Sequence, residues 1–126
     1  MTGPAPVKVL VVDDHPINLK LLRLTLEVEG YAVRMAVDAE QALVTLATFR
    51  PRLILMDLQL PGMDGLDLTR LLKSTGIDAI IVAVTAYAMK GDGERARVAG
   101  CDGYITKPID TRTVGATVAH YLDGGR

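Results

Sequence analysis

The sequence predicts an α/β fold, a five-stranded parallel sheet wound on both faces by helices. Three observations predict it. Strand-like and helix-like segments alternate five times along the chain. Three of the strand-like runs, Val9 to Val12, Leu53 to Met56 and Ala79 to Val84, are continuously apolar rather than alternating. That is the mark of parallel strands covered on both faces. The 126 residues hold no internal repeat, low-complexity tract or linker, so they make one domain with room for a real core.

The elements follow in order. The first strand spans about Lys8 to Val12. The first helix has Pro16 in its first turn, a face of Ile17, Leu21, Leu24 and Val28 at helical spacing, and Gly30 as its stop. A short second strand runs from about Ala32 to Ala36. Asp38 suits an N-cap for the second helix, with Gln41 completing a capping-box-like pair. Ala42, Leu43, Leu46 and Ala47 form that helix's expected buried stripe. Pro51 breaks the chain before the third strand. The third helix is expected over Gly65 to Ser74, with Leu68, Leu71 and Leu72 inward and Gly76 after it. Ala79 to Val84 is the fourth strand. The fourth helix lies within Met89 to Ala99, and the fifth strand covers Gly103 to Thr106. The fifth helix is expected from Asp110 to Leu122, with Val114, Val118 and Tyr121 on one side. Right-handed crossovers make this a doubly wound three-layer sandwich. The flavodoxin-like strand order 2-1-3-4-5 is the one adopted by known five-stranded folds of this kind and is not read from the residues.

Composition excludes several functions. Nearly half the residues are apolar, 23% are charged and the net charge is −1, which leaves no electrostatic footprint for nucleic acid or an anionic membrane. Cys101 is the single cysteine, so there is no internal disulfide and no cysteine-based metal cluster. It reads as a small thiol in a turn. No apolar stretch approaches a membrane span, and Met1 to Pro6 lacks the pattern of a secretory signal. The chain is therefore expected to be cytoplasmic, with residues 1–6 a flexible N-terminus, 7–122 the folded domain and 123–126 a tail.

The chemistry gathers where the strands end. The first strand runs into Asp13-Asp14, the third into Asp57, the fourth into Thr85 and the fifth into Lys107-Pro108. Parallel neighbours share one C-terminal edge, which is where open α/β sheets bind ligands. Asp13, Asp14 and Asp57 would repel one another there unless a cation sat among them. Oxygen ligands without histidine or cysteine select Mg²⁺ over zinc. Alone, Asp13 and Asp14 also fit the plainer role of capping the first helix. Thr85 and Lys107 change the balance, because a hydroxyl and an ammonium are donors for phosphoryl oxygens. A carboxylate can also be the nucleophile that forms an aspartyl-phosphate. Asp57, at the end of the middle strand, is the candidate.

These residues sit in motifs that resemble the receiver domains of two-component response regulators. The motifs are VLVVDD at 9–14, LILMDLQLPGMDG at 53–65, VTA at 84–86 and KP at 107–108. The stretch AVTAYAMKGDGERARVAGCDGYITKPI also resembles single-domain, cell-cycle-type receivers and those attached to hybrid histidine kinases. The resemblance implies that Asp57 is the phosphoacceptor. It implies that Mg²⁺ is held by Asp14, Asp57 and the backbone carbonyl of Gln59, with Asp13 acting through water. Lys107 would contact the phosphoryl group. Thr85 would bond to it and shift, with Tyr104 turning inward behind. The Lys107–Pro108 peptide would be cis. Gln59, Ala86 and Tyr87 would tune the lifetime of the phosphorylated state. The donor would be a sensor histidine kinase, a histidine phosphotransfer protein or a small phospho-donor, and the output a protein target, with no direct nucleic-acid or membrane contact.

Other residues read more plainly. Gly91 and Gly93 do not make a nucleotide loop, because they fall outside a G-x-G-x-x-G pattern after a strand. They are expected at the loop and start of the fourth helix, whose thin apolar stripe of Ala96, Ala99 and Val98 marks it as mobile. His15, Met89 and Lys90 read as surface residues. The fifth helix lacks the arginine-rich pattern of receivers that dimerise before binding DNA, so a monomeric regulator without independent substrate turnover is expected. Two rivals remain. One is a Mg²⁺-dependent phosphatase with an aspartyl nucleophile, disfavoured because Gln59 stands where its general acid belongs. The other is an interaction module on the same fold that is not phosphorylated.

Overall fold

The computed structural model describes residues 5–85 and 92–124. Its elements are β1 (Lys8–Val12), α1 (Pro16–Val28), β2 (Ala32–Ala36), α2 (Ala39–Leu46), β3 (Leu53–Asp57), α3 (Gly65–Ser74), β4 (Ile80–Thr85), α4 (Asp92–Ala99), β5 (Gly103–Thr106) and α5 (Val114–Leu122). All five strands are parallel and lie in the expected order β2-β1-β3-β4-β5.

Successive residues of a strand face opposite sides, so the continuously apolar runs feed two cores at once. Leu10, Val12, Ile54, Met56, Ile81 and Ala83 pack beneath α2, α3 and α4. Val9, Val11, Leu53, Leu55, Val82 and Val84 pack beneath α1 and α5. Most of these side chains are fully buried, which is why the strands carry no polar alternation.

The expected signals at Asp38, Gly30 and Gly76 hold, and the structure adds a cap at Asp64. Asp38 caps α2 by accepting from Gln41 N at 2.8 Å, while Gln41 Oε1 accepts from Val37 N at 3.0 Å. Asp64 caps α3 by accepting from Asp67 N at 2.8 Å. Gly30 and Gly76 adopt positive φ after α1 and α3, where glycine meets no Cβ penalty.

Four expectations need correction. In α1 the face of Ile17, Leu21, Leu24 and Val28 points to solvent, and Leu19, Leu22 and Leu26 meet the sheet. In α2 Ala39 and Ala42 are buried, Leu46 packs partly on the core, and Leu43 and Ala47 are exposed. In α3 Leu71 is largely outside, while Leu66 and Thr69 join Leu68 and Leu72 inside. The fifth helix begins at Val114 rather than Asp110, because the Asp110 carboxylate accepts from Arg112 N and its Nε and holds residues 110–113 in a turn.

Candidate functional site

Strand parity aims the acids. In β1 the residues facing α1 and α5 are Val9 and Val11, and Asp13 follows them. In β3 they are Leu53 and Leu55, and Asp57 follows. Both carboxylates therefore leave the sheet on the same side, and both residues are only 2% exposed. Lys107 arrives from the β5–α5 connection and bonds Asp57 Oδ2 at 2.9 Å, with Asp13 Oδ2 at 3.6 Å. The Lys107–Pro108 bond is cis, as expected, and Lys107 N donates to Thr85 O at 2.7 Å, tying the lysine's backbone to the end of β4.

The remaining acid oxygens are held by short local bonds. Asp57 Oδ1 accepts from Gln59 N at 2.9 Å, and Asp13 Oδ1 accepts from His15 N at 2.8 Å. The helix-capping role for Asp13 and Asp14 is not what the structure shows: His15 is the N-cap residue of α1, with no side-chain cap. Asp14 is exposed and makes no hydrogen bond or ion pair among the described residues. Carboxylate oxygens of Asp13, Asp14 and Asp57 lie within 4.8 Å of one another. An all-oxygen set with an unengaged carboxylate fits a hard divalent cation.

The electrostatics point the same way. Burial pushes the Asp57 carboxyl above its ordinary value; the Gln59 N–H and Lys107 oppose this, and the Asp13 charge adds to it. Burial alone would discourage the Lys107 ammonium. The hydrogen bond to Asp57 and the charges of Asp13 and Asp57 outweigh that and hold its pKa up. Among the described residues one ammonium, Lys107, meets the two buried acids Asp13 and Asp57, and Asp14 beside them has no cation.

Gly65 is a site residue whose role the sequence did not disclose. A Cβ there would stand 2.3 Å from the Asp57 carbonyl oxygen and 2.7 Å from Leu58 Cα. Only glycine lets the start of α3 come this close to the end of β3. Two glycines in the segment 61–65 were visible, but the backbone contact that demands this one was not. Beside Lys107 an open groove of about 460 Å³ runs between α1 and the β5–α5 connection, lined by Asn18, Leu21, Leu22, Pro108 and Ile109.

Thr85 ends β4 and is 3% exposed. Tyr104, on the neighbouring β5, is 46% exposed and lines a recess with Ala96, Arg97 and Tyr121. Gln59 is exposed at the rim. Ala86, Tyr87, Met89, Lys90 and Gly91 lie outside the described residues. Gly93 is the second residue of α4, and Ala96 and Ala99 are buried there as expected. Cys101 is buried, its pKa raised by burial, and it packs against Thr69 at 3.8 Å, in keeping with an inert thiol.

Comparison with known proteins decides the family. The family described as the response regulator receiver domain matches residues 9–119. The chain belongs to the response regulator receiver domain family. The polar-differentiation response regulator DivK of Brucella anthropi is 42% identical over 121 residues, covering 93% of this chain and 97% of that protein. DivK of Brucella ovis is 41% identical over 116 residues, covering 90% and 94%. Among solved structures, a CheY-like receiver domain protein from Methanospirillum hungatei superposes with a TM-score of 0.87 at 30% identity, over 94% of this chain and 95% of that one. The receiver domain of DrrB, a Thermotoga maritima regulator solved in a BeF3-activated form, gives 0.83 at 25% identity, over 94% and 98%. The receiver is thus a two-component signalling domain with a strand-end acid cluster that could hold a metal. No helix among its described residues is long and apolar enough to cross a membrane.

Proposed function

We propose that this receiver accepts a phosphoryl group on Asp57, with Mg²⁺ in the Asp13–Asp14–Asp57 cluster, and signals its presence through Thr85 and Tyr104. The observation that carries the reading is the buried, charge-excess Asp57 held between the Gln59 N–H and Lys107. A carboxylate kept out of water with its pKa raised is a better nucleophile than a solvated one.

The donor is the phosphoimidazole of a sensor histidine kinase or histidine phosphotransfer protein. An Asp57 carboxylate oxygen forms a bond to phosphorus, the phosphorus–nitrogen bond breaks, and its electron pair returns to the imidazole. Lys107 offsets the charge spreading over the phosphoryl oxygens. Asp14, Asp57 and the Gln59 carbonyl would hold Mg²⁺, with Asp13 through water; the ion supplies further charge neutralisation at the phosphoryl oxygens. The acyl phosphate carries roughly −2 where the Asp57 carboxylate carried −1, so about one further negative charge enters the pocket. Thr85, buried at the rim, moves to donate to it, and Tyr104 leaves its exposed position to fill the space behind. The face of α4, β5 and α5 then changes for a downstream protein partner. The similarity to DivK and to a BeF3-activated DrrB receiver supports this reading.

The test is Phos-tag electrophoresis after incubation with acetyl phosphate and Mg²⁺. The wild type should shift, and EDTA or Asp57→Asn should abolish the shift. A shift that survives Asp57→Asn would sink the assignment. No labelling of the wild type would favour the interaction module without phosphorylation, and steady turnover of small phosphomonoesters would favour the phosphatase.

A further inference from the structure

Helix α1 carries two apolar stripes, and the sheet uses only one. Leu19, Leu22 and Leu26 are buried, whereas Ile17, Leu21, Leu24 and Val28 are 65%, 47%, 46% and 87% exposed. At 3.6 residues per turn the two stripes lie on nearly opposite sides of the helix. The outer one is spaced four, three and four residues apart, which is the seam of a two-helix coiled coil. A surface helix ordinarily presents polar residues there.

We propose that this seam pairs antiparallel with α1 of a second copy of the chain, about a two-fold axis passing between Leu21 and Leu24. In that register Leu21 meets the second copy's Leu24, and Ile17 meets its Val28. Such a contact is self-complementary and closes at two chains. The flanking residues select this occupant and this direction. Lys20 and Glu27 border one side of the seam, Asn18 and Thr25 the other. Antiparallel pairing sets Lys20 against the second copy's Glu27 and Glu27 against its Lys20. Parallel pairing would set Lys20 against Thr25 and leave both charges unmatched. Lys20 has no acidic partner among the described residues. Glu27 has only Arg23, at 3.8 Å and with both side chains at least 40% exposed, a weak pair that can be exchanged.

The size of the seam sets the strength. Four side chains on each helix offer roughly 400 Å² per chain, at the low end for specific interfaces, so the dimer forms only at high concentration. Opposed helices of 13 residues put their N-termini about 20 Å apart. Both strand-end pockets therefore stay open. The pairing needs no phosphoryl group and does not rest on the function proposed above.

Sedimentation equilibrium of the full chain tests it, from about 10 μM to about 1 mM, the range in which weak low-area complexes form. The mean mass should climb from 13.5 kDa towards twice that. Leu24→Glu should hold it at the monomer throughout. Lys20→Glu should weaken association about tenfold, and adding Glu27→Lys should restore it, because the swap re-forms both cross-pairs. All variants should keep the wild-type melting temperature and label with acetyl phosphate as the wild type does. A mass fixed at the monomer at 1 mM, or a dimer indifferent to Leu24→Glu and to the charge swap, overturns the proposal. So does a monomeric wild type whose Leu24→Glu variant alone loses phosphotransfer from a histidine-bearing partner, since that partner would then be the occupant.

Discussion

At the C-terminal ends of the strands Lys107 meets Asp57 at 2.9 Å; at the opposite end of the sheet Lys73 meets Asp102 at 3.2 Å. The two pairs look alike and differ in what surrounds them. Asp102 Oδ2 also accepts from Ile81 N at 2.8 Å, Asp102 N donates to Ile81 O at 2.7 Å, and Lys73 Nζ reaches Ala79 O at 3.4 Å. One charge answers one charge, the side chains are 32% and 43% exposed, and the pair fastens α3 to the beginnings of β4 and β5. At the other end, among the described residues, one ammonium stands beside a cluster of three carboxylates, two of them buried. The balanced pair closes the chain. The unbalanced one leaves negative charge that a bound cation can relieve.

Substitutions can break or sharpen this contrast. The largest loss is expected from Gly65→Ala, about 3 kcal/mol by urea denaturation, because its Cβ would meet the backbone of Asp57 and Leu58, which cannot swing aside. A cost below about 1 kcal/mol would show that α3 can retreat from the pocket. Next is Lys107→Met, which leaves Asp57 and Asp13 without their cation. About 2 kcal/mol should be lost in EDTA, and labelling by acetyl phosphate should fall at least tenfold.

Asp57→Asn should act in the other direction and raise stability at pH 7 by about 1 kcal/mol. The sign follows from the raised pKa. The folded state resists ionising Asp57, so ionisation costs stability once the pH passes the ordinary value of 3.8, and the penalty is complete above the folded-state value. The advantage of the variant should therefore vanish below pH 3.8 and open as the pH rises. A variant less stable than wild type at pH 7 would mean that Lys107 already balances the pocket.

At the other end the effects should be smaller and should come from the backbone. Asp102→Ala should cost about 1 kcal/mol, chiefly by leaving Ile81 N without its acceptor. Lys73→Ala should cost only a few tenths of a kcal/mol, because a half-exposed ion pair contributes little. Equal costs for the two would make the ion pair, rather than the backbone bond, the fastener.

Much of the site was legible because it obeys short-range rules. Each polar residue follows an apolar run directly, so finding the strands also found Asp13, Asp57, Thr85 and Lys107. The cap at Asp38 depends on a neighbour three residues away. Gly65 and the Lys73–Asp102 fastener were not legible, since both depend on segments brought together across 8 and 29 residues.

By itself the sequence determined the alternation of strands and helices, the two-sided burial of the sheet and the polar residue at each strand end. Strand period and apolar run length are properties of the local chain. The tertiary structure alone decided which side of each helix met the sheet. Helix α1 holds two apolar stripes, Ile17-Leu21-Leu24-Val28 and Leu19-Leu22-Leu26, and helical periodicity describes both equally well. The choice came from the way the crossover sets α1 beside α5 over β1 and β3, which turned Leu19, Leu22 and Leu26 inward. It left the other stripe, the one periodicity had marked, facing the solvent.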